Sequence, residues 1–281
     1  MPSTRLGAFT TTYNELDWLD VIAPQLAMFD HSVVVLSTTP MNWYYPKSPN
    51  DHSTPPPKPD VARVRTLCKL YGIDLIIGEF SRSDDAWYRG EKAGISAMAR
   101  QRKAGINALL DCDAAAWFAP DEVYSLRDVN MLIATMRSDP TQMYTPARTH
   151  ILWWNECFEL PPGSYWDPLV GVPIDFDPYK YDMGITTDAA ARIMQPALDV
   201  TCWHFAFARS DKEMREKYLS WGHAHETHSF DHWKNWDEWK PGGINHWPPS
   251  NPVIPVTEPL PHDVRLRMRN LLVGMRCFGR P

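Results

Sequence analysis

The chain has 281 residues, a formal net charge of −6, 44% hydrophobic residues and 22% charged residues. That composition describes a globular protein with an ample core and excludes an intrinsically disordered chain. The acidic balance argues against broad nucleic-acid binding, which needs a basic surface, and no apolar stretch reaches the 18 residues of a membrane span.

Met1-Pro2-Ser3-Thr4-Arg5 leads straight into a strand-like run, so no signal peptide is expected. The five cysteines (Cys68, Cys112, Cys157, Cys202, Cys277) are scattered, odd in number and never spaced as CxxC. This pattern predicts a reduced, soluble, cytoplasmic protein without zinc-finger spacing.

In chain order, Leu6 to Thr11 reads as a first strand, and a helix follows over residues 17–29 with Leu19, Ile22, Leu26 and Phe29 on one face. Pro24 weakens that helix. Val33 to Leu36 is a buried strand, and residues 40–59, with seven prolines, form a long loop. Asp60 caps a helix that turns Val61, Val64, Cys68 and Tyr71 inward and stops at Gly72. Ile73 to Ile77 is a short strand, residues 89–104 are helical, and Ile106 to Leu110 is read as the next strand. The alternation predicts an α/β, Rossmann-like, mostly parallel sheet with helices on its faces, whose ligands bind at the carboxyl ends of the strands.

The second half is less regular. Residues 142–155 are strand-like and 160–182 a Pro- and Asp-rich loop. A short helix opens at Thr187 or Asp188 and closes at Pro196; Val200 to Ala208 is a strand; Ser210 starts a capped helix reaching about Trp221. Residues 222–261 are an irregular Trp- and His-rich stretch. A final helix is expected to bury Val264, Met268, Leu271 and Met275 and to expose Arg265, Arg267 and Arg269. No repeat or linker divides the chain, which predicts a single catalytic domain over 1–281, with residues 1–125 as one half and 126–281 as the other.

The chemistry-bearing motif is Asp111-Cys112-Asp113, which follows the apolar run Ala108-Leu109-Leu110. Two carboxylates at a strand end can hold Mg²⁺ or Mn²⁺ against a diphosphate, with one aspartate free to reach a ribose; ordinary loop carboxylates are the plainer alternative. His204, between Trp203 and Phe205, is either a core histidine or a third ligand whose nitrogen favours Mn²⁺.

With these pieces in place, the chain resembles the nucleotide-sugar glycosyltransferases of the A-type fold. The resemblance is to the family 2-like enzymes and, within them, to the branch of the bridging β-1,4 N-acetylglucosaminyltransferases. Thr10-Thr11-Thr12-Tyr13-Asn14-Glu15 is similar to the first-strand segment that holds the nucleotide base, and Glu91-Lys92-Ala93-Gly94 to an Arg-Asn-x-Gly helix start. Asp111-Cys112-Asp113 stands for the DxD metal motif and His204 for the histidine that completes metal binding. Ser210 to His223 resembles the helix after that histidine. The resemblance covers residues 5–125 and 180–226. Ser37-Thr38-Thr39 stands where the family carries Asp-Asp, and Tyr181-Asp182-Met183-Gly184 where it carries Glu-Asp.

The resemblance implies a metal-dependent, inverting transferase of a hexosyl or N-acetylhexosaminyl group from a nucleotide diphosphate donor, a UDP-sugar by family expectation. Residues 1–125 would bind the nucleotide sugar and 126–281 the acceptor. Asp111, Asp113 and His204 would hold Mn²⁺ or Mg²⁺. Thr10, Thr12, Tyr13, Glu15, Lys92 and Asp111 would bind the donor, and Asp182, with Asp188 as competitor, would be the catalytic base. The acceptor is left open among a glycan, a protein side chain, a lipid-linked sugar and a modified DNA base. Trp221, Trp233, Trp236, Trp239 and Trp247 offer flat faces on the acceptor side or pack as a lid, and His223, His225, His228 and His232 offer an irregular zinc cluster. Two other readings use the same residues: a haloacid-dehalogenase-type phosphohydrolase built on Asp111 and Asp113, and a non-catalytic carbohydrate- or base-binding protein of the same fold.

Overall fold

The computed structural model describes residues 3–13, 15–39, 58–80, 92–153, 156–159, 169–178, 197–208 and 254–272. Strands β1 (Leu6–Thr12), β2 (His31–Ser37), β3 (Asp74–Gly78) and β4 (Ala114–Phe118) run parallel, and β8 (Gly171–Pro173) closes the edge antiparallel, in the order β3-β2-β1-β4-β8. This is the mixed α/β architecture with a mostly parallel central sheet that the alternation of apolar runs predicts.

A second sheet, β10-β7-β6-β9-β5, is built on the parallel pair β6 (Thr145–Trp153) and β9 (Ala197–Phe207). Antiparallel to their neighbours in it are β5 (Glu122–Val123), β7 (Glu156–Glu159) and β10 (Ile254–Pro255). The chain leaves the first sheet at Phe118 and enters the second at Glu122, so residues 119–122 form the junction between the sheets.

Among the described residues, the helices are α1 (Leu16–Leu26), α2 (Val61–Tyr71), α3 (Lys92–Ala108), α4 (Leu126–Ser138) and α5 (His262–Leu272). Because strand side chains alternate between faces, Leu6 and Ala8 of β1 join one core with Val34, Leu36, Ala114, Ala116 and Phe118. Trp18, Leu19 and Ile22 of α1, Val64 of α2, Leu132 of α4 and Val264 and Met268 of α5 pack into it, as do Trp203 and Phe205 of the second sheet. Phe9, Val33, Val35, Ala115 and Trp117 face the other way and pack with Ile106 and Leu109 of the α3 region.

The local signals act as their chemistry demands. Asp60 Oδ1 accepts the Arg63 N–H at 3.0 Å and caps α2, and Gly72 ends it with φ 67°, a left-handed conformation open to glycine at little cost. Ser125 caps α4 by accepting the Asp128 N–H at 3.0 Å. Pro24 lies in the last turn of α1, which ends at Leu26 rather than at residue 29.

Two sequence expectations are overturned. Residues 106–110 are not a strand: Ile106 and Leu109 are buried three residues apart, at helical spacing, while Leu110 is 67% exposed. They finish α3 and turn through Leu109 N–H to Ile106 O and Cys112 N–H to Leu109 O. The strand is the following run of small residues, Ala114-Ala115-Ala116, continued by Trp117-Phe118 and buried on both faces. Alanine is a poor strand former by itself, and central position in the sheet outweighs that preference.

The second correction concerns Arg267, whose side chain is 10% exposed rather than displayed to solvent. Its guanidinium donates to the carbonyls of Val21 and Tyr124, to Gln25 Oε1 and to Asp263. Arg265 and Arg269 are exposed as expected. The expected helices at 187–196 and 210–221, and the Trp- and His-rich stretch up to residue 253, lie outside the described residues. Among the described residues, no helix is long and apolar enough to cross a membrane.

Candidate functional site

Asp111 and Asp113 precede β4 and therefore sit at its amino end, among the starts of the neighbouring strands. Asp113 Oδ2 accepts the Arg5 N–H at 2.7 Å, and the Asp113 N–H returns a bond to Arg5 O at 2.8 Å. Asp111 pairs with the Arg5 guanidinium and, through Oδ1, with His31 Nδ1 at 3.2 Å. That hydrogen bond from His31 is the main reason the Asp111 carboxyl is held below its ordinary range. His204 pairs across the ladder with Glu122, beyond the opposite end of β4. A five-residue strand separates the two groups by about 16 Å. Asp111, Asp113 and His204 thus cannot share an ion, and Asp111 cannot reach a ribose held at the carboxyl edge.

At the carboxyl edge, His204 instead meets Asp121. Its Nε2 lies 3.6 Å from Asp121 Oδ1, with the two side chains 16% and 5% exposed. The junction between the sheets brings them together: Phe205 N–H donates to Asp121 O at 2.8 Å, and Glu122 pairs with His204 across the ladder. Next to Asp121, Glu122 is buried, and its Oε2 accepts the Ala119 N–H at 3.0 Å. Burial pushes its carboxyl above the usual range; His204, the Ala119 N–H and Arg102 oppose that rise, and neighbouring Asp121 adds to it.

Helix α3 leads from the carboxyl edge back to the amino edge and supplies two further polar groups. Gln101 Nε2 donates to Thr12 O at 2.9 Å and to Val35 O at 2.8 Å, clamping the ends of β1 and β2. The buried Arg102 guanidinium lies over the Trp117 ring, with Cζ 3.9 Å from the centroid, a desolvated cation–π contact at the end of β4.

The other predicted donor residues divide by burial. Thr10 is fully buried, so it supports the strand from behind and cannot touch a nucleotide. Thr12 is buried at the last position of β1, and Tyr13 just beyond it is half-buried, its phenol pushed up by that burial. Glu15 immediately precedes α1 at the same edge. Lys92 opens α3 there too, as a backbone position. Asp182 and Asp188 lie outside the described residues.

Sequence reasoning missed Asp121, Glu122, Gln101 and Arg102. A signal for the acidic pair was available in Trp117-Phe118-Ala119-Pro120-Asp121-Glu122, an aromatic strand end followed by a turn and two carboxylates. Reading the strand one element too early hid it. Gln101 and Arg102 carry no such signal, because nothing local separates a clamping helix residue from a solvated one.

Asp121 and His204 fit a divalent cation. Their facing atoms lie just beyond hydrogen-bond length, and ligands about 2.1 Å from one ion lie about 3.0–3.4 Å apart. His204 Nδ1 is buried without a hydrogen-bond partner among the described residues. Two protein ligands leave the rest of the shell to water and substrate oxygens, the usual arrangement for Mg²⁺ and Mn²⁺.

No protein-family model and no curated protein matches the chain. Among solved structures, S. aureus TarS is similar over 83% of this chain and 43% of its own, at 9% identity and a TM-score of 0.40. The chain thus spans less than half the length of that protein. The structure of TarS residues 1–349 is similar over 83% of this chain and 71% of its own, at 8% identity and a TM-score of 0.38. A mannose-1-phosphate geranyltransferase from Thermus thermophilus is similar over 86% and 66%, at 10% identity and a TM-score of 0.25. The class defined by the fold and the site themselves is an α/β protein with a polar site at the carboxyl edge of a mostly parallel sheet.

Proposed function

We propose that the protein is a metal-dependent glycosyltransferase that moves a sugar from a nucleotide diphosphate donor to an acceptor hydroxyl. The observation that carries this reading is the meeting of Asp121 and His204 beyond the carboxyl end of β4, next to the end of β1. Parallel sheets bind ligands at that edge, and a carboxylate with an imidazole, the rest of the shell being water and diphosphate oxygens, suits Mn²⁺ ahead of Mg²⁺.

In this reading Asp121 and His204 hold the cation, which when bound supplies charge neutralisation to the leaving diphosphate as a Lewis acid. Arg102 contributes a fixed positive charge in a dry setting close to Glu122, where charge interactions are strong. Tyr13 and Glu15 line the base side, with Gln101 holding β1 and β2 together through the carbonyls of buried Thr12 and of Val35. Asp182 is the proposed base that takes the proton from the attacking hydroxyl in an inverting transfer, with a UDP-sugar as donor. The bridging N-acetylglucosaminyltransferase branch, the single catalytic domain and a glycan, protein, lipid-linked sugar or modified DNA base as acceptor remain part of the proposal. With Asp111 and Asp113 at the amino edge, the phosphohydrolase reading loses the nucleophile it needs at the ligand-binding end.

The test is donor turnover across a panel of nucleotide sugars with Mn²⁺. Asp121→Asn is expected to lose about 100-fold or more, since even outer-shell partners of a metal cost 10–100-fold. Asp113→Asn is expected to keep wild-type turnover. Equal loss in both variants, or turnover that ignores Asp121, overturns the assignment.

A further inference from the structure

The amino edge of the sheet carries a second constellation, remote from the proposed transferase site. His31 opens β2, and Asp111 and Cys112 lie in the turn from α3 to β4. We propose that His31, Asp111 and Cys112 bind one thiophilic divalent transition cation of the Zn²⁺ class, bracing the amino ends of β2 and β4.

The geometry is close to what such an ion needs. One ligand atom from each of the three residues lies within 4.8 Å of the others. His31 Nδ1 is 3.2 Å and Cys112 Sγ 3.9 Å from Asp111 Oδ1. Ligands at 2.0–2.3 Å around a tetrahedral Zn²⁺ lie about 3.3–3.8 Å apart, so small side-chain adjustments bring the three ligands to bonding distance and leave the fourth position to water. The second nitrogen of His31 is already held: Nε2 lies 3.0 Å from Asp74 Oδ2 at the start of β3. A carboxylate on the far nitrogen fixes ring and tautomer, the arrangement that supports metal-bound histidines. Arg5 occupies only the other oxygen of Asp111 and so orients the carboxylate without blocking Oδ1.

Charge and access agree. Asp30 is matched by Arg137, and Asp111 by the Arg5 guanidinium, whereas Asp113 takes only the Arg5 backbone N–H and Asp74 faces the imidazole of His31. The edge is therefore left about two charges negative, which suits a divalent ion. Cys112 is buried at 5% exposure, while the side chains of His31 and Asp111 are 21% and 48% exposed, so the ion arrives from solvent over them. The thiolate donor selects Zn²⁺ or Co²⁺ over Mg²⁺, Ca²⁺ and Mn²⁺, which separates this site from the sulfur-free pair Asp121 and His204 at the opposite edge.

The experiment is a Co²⁺ titration of the chelator-treated full chain, followed by near-ultraviolet thiolate-to-metal charge transfer and by competition with Zn²⁺. The expected result is a thiolate band that saturates with one equivalent and is displaced by Zn²⁺. Cys112→Ser and His31→Gln, checked for folding by circular dichroism, should both lose it, and Asp74→Asn should weaken Co²⁺ binding 10–100-fold. Asp121→Asn should keep the band whether or not the protein transfers sugars. Histidine-only binding elsewhere in the chain produces no thiolate band. A wild-type protein without the band, or a band that survives either Cys112→Ser or His31→Gln, overturns the proposal.

Discussion

Glu122 carries the sharpest electrostatic consequence at the scale of single residues. Its carboxyl is buried, and its affinity for a proton is raised above that of an exposed glutamate. The folded state therefore holds this proton to a higher pH than the unfolded chain does. The associated stability is fully present below the unfolded glutamate range and is lost as pH rises through the higher folded value. Glu122→Gln keeps an acceptor for the Ala119 N–H and removes the titration. Urea unfolding of both proteins at about pH 4 and pH 8 should show the glutamine variant gaining relative to wild type at the higher pH. A wild-type advantage that grows with pH would contradict the assignment. His204 was legible from sequence as a polar residue between two aromatics, but its partner was not, because Asp121 becomes its neighbour only through the pairing of β5 with β9.

Among the elements, α3 and β1 illustrate how closely the core is fitted. Gly105 packs so tightly on Phe9 that a Cβ there would lie 2.4 Å from Phe9 Cδ2. The ring is itself wedged in the core, stacked with Trp117 at a centroid separation of 6.4 Å, so it has little room to yield. Gly105→Ala should destabilise the protein by about 1–3 kcal/mol through overpacking, even though alanine is the better helix former. Thermal or denaturant unfolding measures this directly; a neutral or stabilising effect would show that α3 can shift outward freely. Caps and stops such as Asp60 and Gly72 were readable because they act within a few residues. The boundary between α3 and β4 was not, since an apolar run of four or five residues looks the same whether it closes a helix or forms a strand. The alanines of β4 become a strand only because β1 and β8 pair with them on either side.

At the scale of the whole molecule, Arg267 ties the last described helix to the start of the chain and to the site. Its guanidinium donates to Val21 O in α1 and to Tyr124 O just after β5. It also reaches Gln25, whose amide donates to Glu122 O at 3.1 Å and accepts from Tyr124 N–H at 3.2 Å. Replacing it with methionine leaves two backbone carbonyls without this buried charged donor. Arg267→Met should cost about 2–4 kcal/mol and reduce donor turnover by releasing β5, while Arg267→Lys should recover part of the stability. A variant as stable as wild type would show that water replaces the guanidinium at no cost.

The apolar runs, turn residues and caps by themselves determined a parallel α/β sheet with helices on both faces, because burial and backbone capping are local demands written in local sequence. Which carboxylates share an edge with His204 was decided only in three dimensions. Shifting one strand from residues 106–110 to 114–118 moves Asp111 and Asp113 to the amino ends of the strands and delivers Asp121 to the carboxyl ends. No local preference of the chain encodes that choice; the packing of Ile106 and Leu109 against Phe9 and its neighbours makes it.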